Sequence, residues 1–289
     1  MEIINTIAAL KSLLGPKKLD HKKVALVPTM GALHKGHVSL IKIAQHHAEV
    51  VVCSIFVNPT QFTDPKDLEK YPRPLEQDLA TLREAGCSIV FMPSVKEMYP
   101  QPETWHIDLG PAEFLLEGEF RKGHYQGVTQ IVKKLFDAVQ PDTAFFGQKD
   151  YQQVLMIENM VAHLKLPVNI ITCPIVREED GLAMSSRNIH LSEEDRKNAL
   201  VLSEALYYVK DFFDDKGKTR DGITNERIPA LETAAKRMIE RTPGVELDYF
   251  VIVSGHNLMP PTDDYGLGLV ALVAAKVGQT RLIDNMILS

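Results

Sequence analysis

The sequence predicts an α/β fold: a parallel sheet with helices on both faces, followed by a smaller α+β C-terminal domain. Three observations carry this. Short β-type runs alternate with helical patterns as far as Cys173. The run Val50-Val51-Val52-Cys53-Ser54-Ile55-Phe56-Val57 is apolar without a two-residue period, as a strand covered on both faces is. After Pro174 the order changes, with helices first and strands last.

Val24–Val27 reads as the first strand, and His37–Ala48 as a helix with Leu40, Ile41 and Ala44 on one face. Val50–Val57 follows as a strand. Leu75–Ala85 is helical and stops at Gly86, a residue suited to a C-cap. Ile89–Phe91 is a strand, and Val128–Val139 a helix ended before Pro141. Ala144–Phe146 (strand), Tyr151–His163 (helix) and Val168–Cys173 (strand) complete the alternation. Strands separated by helices imply right-handed βαβ units and a Rossmann-like sheet. Arg177–Gly181 is a charged turn. Ser192, followed by Glu193, Glu194 and Asp195, has the form of an N-cap with an acidic first turn, opening a helix to about Phe213. The polar stretch Asp214–Asn225 separates it from a helix at Ile228–Arg241. Strands are expected at Leu247–Val253, Leu269–Ala275 and Thr280–Asn285. The expected domains are residues 1–175, which bind nucleotide and substrate, and residues 176–289, a smaller lid.

The chain has 289 residues, with 32 Lys plus Arg against 38 Asp plus Glu and a formal charge of −6. That balance argues against a nucleic-acid binder, since phosphate backbones demand surplus cations. Hydrophobic residues at 45% and charged residues at 24% exclude a disordered chain. No apolar run approaches the ~18 residues of a membrane span, so no membrane partner is expected. Met1-Glu2-Ile3-Ile4-Asn5 lacks a basic-then-apolar signal pattern, which points to the cytoplasm. The three cysteines, Cys53, Cys87 and Cys173, are odd in number and far apart, so buried free thiols are expected rather than a disulfide framework or zinc site.

Three stretches carry chemistry. Pro28-Thr29-Met30-Gly31-Ala32-Leu33-His34-Lys35-Gly36-His37 follows the first strand and opens the first helix. In open α/β sheets ligands sit beyond the carboxyl ends of strands, where helix N-termini favour phosphate. The spacing of Gly31 and Gly36 imitates a Walker loop, but His37-Val38 replaces Lys-Ser/Thr. His34 and His37, three residues apart, share a face of a helical turn and can donate to phosphate oxygens. Phe145-Phe146-Gly147-Gln148-Lys149-Asp150 occupies a second strand end, with Lys149 able to meet a phosphate and Asp150 a ribose. Gly181-Leu182-Ala183-Met184-Ser185-Ser186-Arg187-Asn188 sets two hydroxyls beside an arginine, a set suited to a polyphosphate tail.

Together these stretches resemble the nucleotidyltransferase superfamily that includes class I aminoacyl-tRNA synthetases. His34-Lys35-Gly36-His37 looks like its HIGH motif, and Met184-Ser185-Ser186-Arg187 like its KMSKS loop. The likeness is closer still to the pantothenate synthetase (pantoate–β-alanine ligase) family. It runs through Pro28–His37, Phe56–Phe62, Tyr71-Pro72-Arg73, Gly123–Val128, Phe146–Gln153, Ser185–Asn188 and Arg281–Asn285.

The resemblance implies ATP-dependent condensation of (R)-pantoate with β-alanine to pantothenate, AMP and pyrophosphate, through pantoyl adenylate. It places Met30, Gly31, Ala32, Leu33, His34, Lys35, Gly36 and His37 at ATP, with His37 as a proton donor. It adds Gly147, Gln148, Lys149, Asp150, Val176, Met184, Ser185, Ser186 and Arg187 to the same site. His34, His37, Lys149, Ser185, Ser186 and Arg187 are the expected catalytic groups. Gln61, Gln153, Asn58 and Tyr71 are the expected pantoate and β-alanine contacts. Mg²⁺ is expected on the ATP phosphates, with no tightly bound organic cofactor, and a cytoplasmic homodimer is implied. Gln148 stands where Glu is often seen. The segment Pro174–Asn188 is expected to close over ATP. Another small-molecule nucleotidyltransferase of the superfamily, or a nucleotide-binding module without catalysis, is the alternative reading.

Overall fold

The structure is a computed structural model describing residues 1–216, 227–261 and 268–288. Packing divides the chain into two units. The first comprises Met1–Gln148 and Gln152–Pro174; the second comprises Lys149–Tyr151 and Ile175–Ser289. Lys149–Tyr151 thus groups with the second unit, which a single cut after residue 175 does not anticipate.

The first unit opens with two elements that the sequence reading did not include: β1 (Glu2–Ile4) and α1 (Ile7–Leu19). Thr6 caps α1, its hydroxyl accepting from Ala9 N at 3.3 Å. Next come β2 (Val24–Thr29), α2 (Lys35–Gln45), β3 (Val50–Ile55), α3 (Pro65–Lys70), α4 (Leu75–Glu84), β4 (Ile89–Phe91) and α5 (Val95–Met98). After them come α6 (Glu117–Phe120), α7 (His124–Val139), β5 (Thr143–Gly147), α8 (Tyr151–His163) and β6 (Asn169–Cys173). The six strands form one sheet in the order β1-β4-β3-β2-β5-β6, and every pairing is parallel. The expected parallel α/β sheet is therefore present. Ala25, Val27, Val51, Cys53 and Val90 of its strands pack with Leu40, Ile41 and Ala44 of α2 and Leu82 of α4 in one buried cluster.

The strand order reverses between β2 and β5. From β2 the chain moves outward to β3 and β4, whereas β5 and β6 lie on the other side. The crevice at such a reversal is where open α/β sheets bind ligands. Here the sequence also widens it. Pairing of β2 with β5 ends at Leu26↔Ala144, although both strands run three residues further. Val24 turns its carbonyl to the β5 side, accepting from Asp142 N at 2.9 Å. Backbone alternation turns Pro28 to that same side, and Pro28 has no N–H to give.

Helix α7 begins at His124, four residues before the expected Val128. Gly127 lies inside it because the helix presses on the single turn Pro59–Gln61. A Cβ at Gly127 would run into Thr60 O.

In the second unit, α9 (Glu193–Lys216) and α10 (Arg227–Glu240) precede β7 (Val245–Ser254), β8 (Leu269–Val277) and β9 (Thr280–Ile287). These strands form an antiparallel sheet in sequence order. Leu202, Leu206, Val209, Leu231 and Ile239 of the helices are buried with Phe250, Ile252, Val273 and Leu282 of the sheet. Ser192 caps α9 as expected, its hydroxyl accepting from Asp195 N at 3.1 Å. The helix continues through residues 214–216, past the expected stop; residues 217–225 of the expected polar stretch lie outside the described residues.

Candidate active site

The histidine loop leaves the carboxyl end of β2, and its shape is set by a carboxylate. Asp78, in the first turn of α4, is 1% exposed. Its Oδ2 accepts from Ala32 N at 2.8 Å and its Oδ1 from Leu33 N at 2.7 Å. Gly31 and Ala32 both have positive φ, +81° and +51°. Successive N–H groups in such a conformation form an anion-binding nest, and Asp78 fills this one. A Cβ on Gly31 would stand 2.8 Å from Asp78 Oδ2. The amide hydrogens of Ala32 and Leu33 therefore serve the loop's own architecture. Thr29 completes it, with its hydroxyl donating to Ser54 O at 2.6 Å and accepting from Gly31 N at 3.2 Å.

His34 and His37 meet, with ring centroids 4.1 Å apart. His34 is the N-cap of α2, one position outside the helix, rather than a member of a shared helical turn. Each ring caps the backbone reciprocally. Gly36 N donates to His34 Nδ1 at 3.2 Å, and His34 N donates to His37 Nδ1 at 3.3 Å. A ring whose Nδ1 accepts carries its proton on Nε2 when neutral. Both imidazoles therefore present Nε2–H as a donor, the form that a phosphate oxygen needs. Lys35 is exposed between them.

Beyond β3 lies a turn of amides. Gln61 is 7% exposed, and its Nε2 donates to Met30 Sδ at 3.0 Å, which joins the turn to the histidine loop. Asn58 is 1% exposed, and its amide is used internally. Nδ2 donates to Gln61 Oε1 at 3.3 Å and to Gly127 O at 3.0 Å, while Oδ1 accepts from Tyr99 OH at 2.8 Å. Burial raises the Tyr99 hydroxyl above its ordinary pKa, so it remains a donor. The ring nitrogen His124 Nδ1 lies 2.8 Å from Gln61 O. Tyr71 stacks edge-on against Phe62 at 5.8 Å. On α8, Gln152 is buried and bonds Ala112 O, Leu115 O and Glu117 N, while Gln153, beside it, is half-buried.

Of the remaining expected residues, Lys149, Asp150, Val176 and Met184–Arg187 belong to the second unit. Gly147 ends β5 in the first unit, Gln148 follows it in the same unit, and Lys149 then begins the segment that groups with the second unit. Asn285 Nδ2 donates to Lys149 O at 3.0 Å, and Tyr151 OH donates to Gly255 O at 3.2 Å. Asp150 is exposed. Val176–Met184 is a tight hairpin. Arg177 bridges to Ala183, Met184 N donates to Val176 O at 3.0 Å, and Gly181 turns the chain at φ +95°. It delivers Ser185, Ser186 and the exposed Arg187, with Arg187 N donating to Ser185 Oγ at 3.2 Å. Asn188 holds the base of the loop through Glu178 Oε1 at 2.8 Å and Ala183 O at 3.1 Å.

Sequence reasoning nominated the histidines, the amides, Lys149 and the serine loop. It missed Asp78, Tyr99 and the use of His124 as a brace. An acid in a helix's first turn usually reads as a dipole partner, and nothing local marks this one as buried. The three cysteines are buried and free, as expected. Among the described residues no helix is long and apolar enough to cross a membrane.

Comparison with known proteins is consistent along the whole chain. A family model described as pantoate-beta-alanine ligase matches residues 2–287. The pantothenate synthetase of Bacteroides thetaiotaomicron is 46% identical over 287 residues, covering 99% of this chain and 98% of that protein. That of Acetivibrio thermocellus is 46% identical over 288 residues, covering 99% of each. The crystal structure of pantothenate synthetase from Thermus thermophilus aligns at a TM-score of 0.90 with 41% identity, covering 100% of this chain and 99% of the other. The pantoate-beta-alanine ligase of Francisella tularensis, solved in complex with beta-gamma ATP and beta-alanine, aligns at 0.78 with 32% identity, covering 99% and 97%.

Proposed function

The chain belongs to the pantoate–β-alanine ligase family, and from that premise we infer that it condenses (R)-pantoate with β-alanine, consuming ATP and releasing AMP and pyrophosphate. The observation that carries this reading is the match over residues 2–287, which spans the histidine loop, the amide turn and the serine loop together.

A free carboxylate is a poor acyl donor, so the acid is activated first. A pantoate carboxylate oxygen attacks the α-phosphorus of ATP in line, and the bond to pyrophosphate breaks with its electron pair on the departing oxygen. Pantoyl adenylate remains. Displacement at phosphorus asks the protein for positioning and for stabilisation of charge on the oxygens. The Nε2–H groups of His34 and His37 are donors of that kind. Lys149 supplies a point charge, and Ser185, Ser186 and Arg187 supply hydroxyl and guanidinium donors. The amine of β-alanine then attacks the acyl carbon, the bond to AMP breaks, and the amine loses a proton.

Gln61 and Gln153 are assigned to pantoate. A neutral amide orients the nucleophilic carboxylate without quenching its charge. Asn58 contributes by holding Gln61, since its own amide is engaged within the protein. Tyr71 is assigned to the same pocket. Met30 to His37, with Gly147, Gln148, Asp150, Val176 and Met184, are assigned to the nucleotide. Mg²⁺, arriving with ATP as part of that substrate, would neutralise part of the phosphate charge. A homodimer in the cytoplasm is the working form.

AMP release from ATP and Mg²⁺ tests this reading, with pantoate and β-alanine supplied singly and together. AMP and pantothenate forming in equal amounts only when both are present is the expected result. AMP release without pantoate, or ATP binding without turnover, would overturn it in favour of another acceptor or of a non-catalytic module. His37→Ala and Lys149→Ala are each expected to slow single-turnover adenylate formation by about 10²–10³-fold.

A further inference from the structure

The C-terminal strand β9 carries two adjacent polar residues that the reaction as described does not use. Asp284 is 4% exposed and Asn285 1%, on an edge strand of a three-stranded sheet. Neighbouring strand residues point to opposite faces, so these two reach different parts of the second unit. Asp284 forms a two-point pair with Arg177, Nη1 to Oδ2 at 2.6 Å and Nη2 to Oδ1 at 3.1 Å. Arg177 Nη1 also donates to Gly181 O at 3.1 Å, and its guanidinium lies over the Tyr207 ring at 5.4 Å. Arg177 pairs with Ala183 across the hairpin that delivers Met184–Arg187. Asn285, on the other face, donates to the carbonyl of Lys149 at 3.0 Å.

Two neighbouring residues of one strand therefore grip the two cation-bearing pieces of the second unit. Lys149 and the hairpin that bears the serine–arginine loop lie 27 or more residues apart in sequence. Strand β9 bonds directly to the backbone of one and to the hairpin base of the other. Burial pushes the Asp284 carboxyl above its ordinary pKa, while Arg177, the Asn285 N–H and the charge of Lys149 pull it down. A buried ion pair is a costly way to gain stability, because apolar residues of similar volume often serve as well. A two-point guanidinium–carboxylate pair instead fixes distance and orientation.

We propose that Asp284 and Asn285 are positioning residues for adenylate formation, Asn285 setting the backbone of Lys149 and Asp284 setting, through Arg177, the hairpin that bears Ser185, Ser186 and Arg187. The proposal rests on the ligase reading and concerns its first half-reaction. In-line displacement at phosphorus is sensitive to misplacement on the ångström scale, and acyl transfer to β-alanine involves no phosphorus attack.

The test uses the full-length enzyme, once the wild type has shown pantoate-dependent AMP release; a wild type without it fails the ligase reading itself. Two variants are compared with it: Asn285→Ala, and the double variant Arg177→Met/Asp284→Leu, which leaves no unpaired buried charge. Adenylate formation is followed in single turnovers, and acyl transfer separately from synthetic pantoyl adenylate and β-alanine. Urea unfolding monitors the fold. The expected result is a ~10–100-fold slower adenylation step in each variant, with acyl transfer within about twofold of wild type. Adenylation within twofold of wild type in Asn285→Ala would overturn the role of Asn285. The same result in a folded double variant would overturn that of Asp284. Equal losses in both half-reactions would mark a structural role and also overturn the proposal. If the double variant does not fold, the conservative Arg177→Lys takes its place, judged by the same split between half-reactions.

Discussion

Asp78 does for the histidine loop what a bound anion does for a phosphate-binding nest, and it does so permanently. Its two bonds, at 2.8 and 2.7 Å, hold the chain where Gly31 and Ala32 turn left-handed. Asp78→Asn keeps the volume but turns an N–H₂ toward one of the two amide hydrogens. With hydrogen bonds to charged groups worth about 1.5–3 kcal/mol, a destabilisation near that size is expected in urea unfolding. Adenylation should slow while the KM for β-alanine stays unchanged; an unaltered urea midpoint would show that the loop holds its shape without the carboxylate. At this scale the sequence was partly legible. His34, His37, Gln61 and Lys149 stand out in the sequence because their types suit phosphate or carboxylate ligands and their places follow strand ends. The atom each uses was not legible: only the reciprocal caps show that both histidines keep Nδ1 as acceptor and offer Nε2–H.

Among the elements, those with a long apolar period were readable and those set by tertiary packing were not. Helix α8 falls at its expected bounds, and α2 carries its expected buried stripe of Leu40, Ile41 and Ala44. The strand β1 is three residues long, and Gly15-Pro16 interrupts the pattern of α1, so neither has a clear signature. The early start of α7 was hidden by Gly127, which looks like a helix breaker and is in fact a point of contact. Gly127→Ala puts a methyl group against the Thr60 carbonyl and forces the helix off the amide turn. A loss of about 1–3 kcal/mol is expected in urea unfolding, the cost of overpacking. The pantoate KM should rise, because Asn58 bonds both Gly127 O and Gln61. A full-strength pantoate KM in a destabilised variant would separate the helix contact from the substrate pocket.

At the scale of the whole molecule, the thiols give the chain a measurable alkaline limit. Burial raises all three, and Cys173 moves from 9.0 to about 11. The folded chain then holds these protons more tightly than the unfolded chain does. Stability from this source is complete below 9.0 and declines as the pH rises through about 11. The Tm of the wild type should drop more between about pH 8 and pH 10.5 than that of Cys173→Ala, which lacks this one thiol and keeps the other two. Equal drops would remove Cys173 from the alkaline limit.

The grouping of Lys149–Tyr151 with the second unit has a consequence for how the chain can be divided. The polypeptide passes between the units after Gln148, after Tyr151 and again after Pro174. A fragment starting at Ile175 would lack the carbonyl that Asn285 binds and the tyrosine that reaches Gly255. A chimera that exchanges only the C-terminal piece between relatives would pair one parent's anchors with the other parent's three-residue stitch. Recombination along this chain therefore has a natural unit that is discontinuous in sequence: Lys149–Tyr151 travels with the C-terminal segment, or the graft begins with its seam already torn.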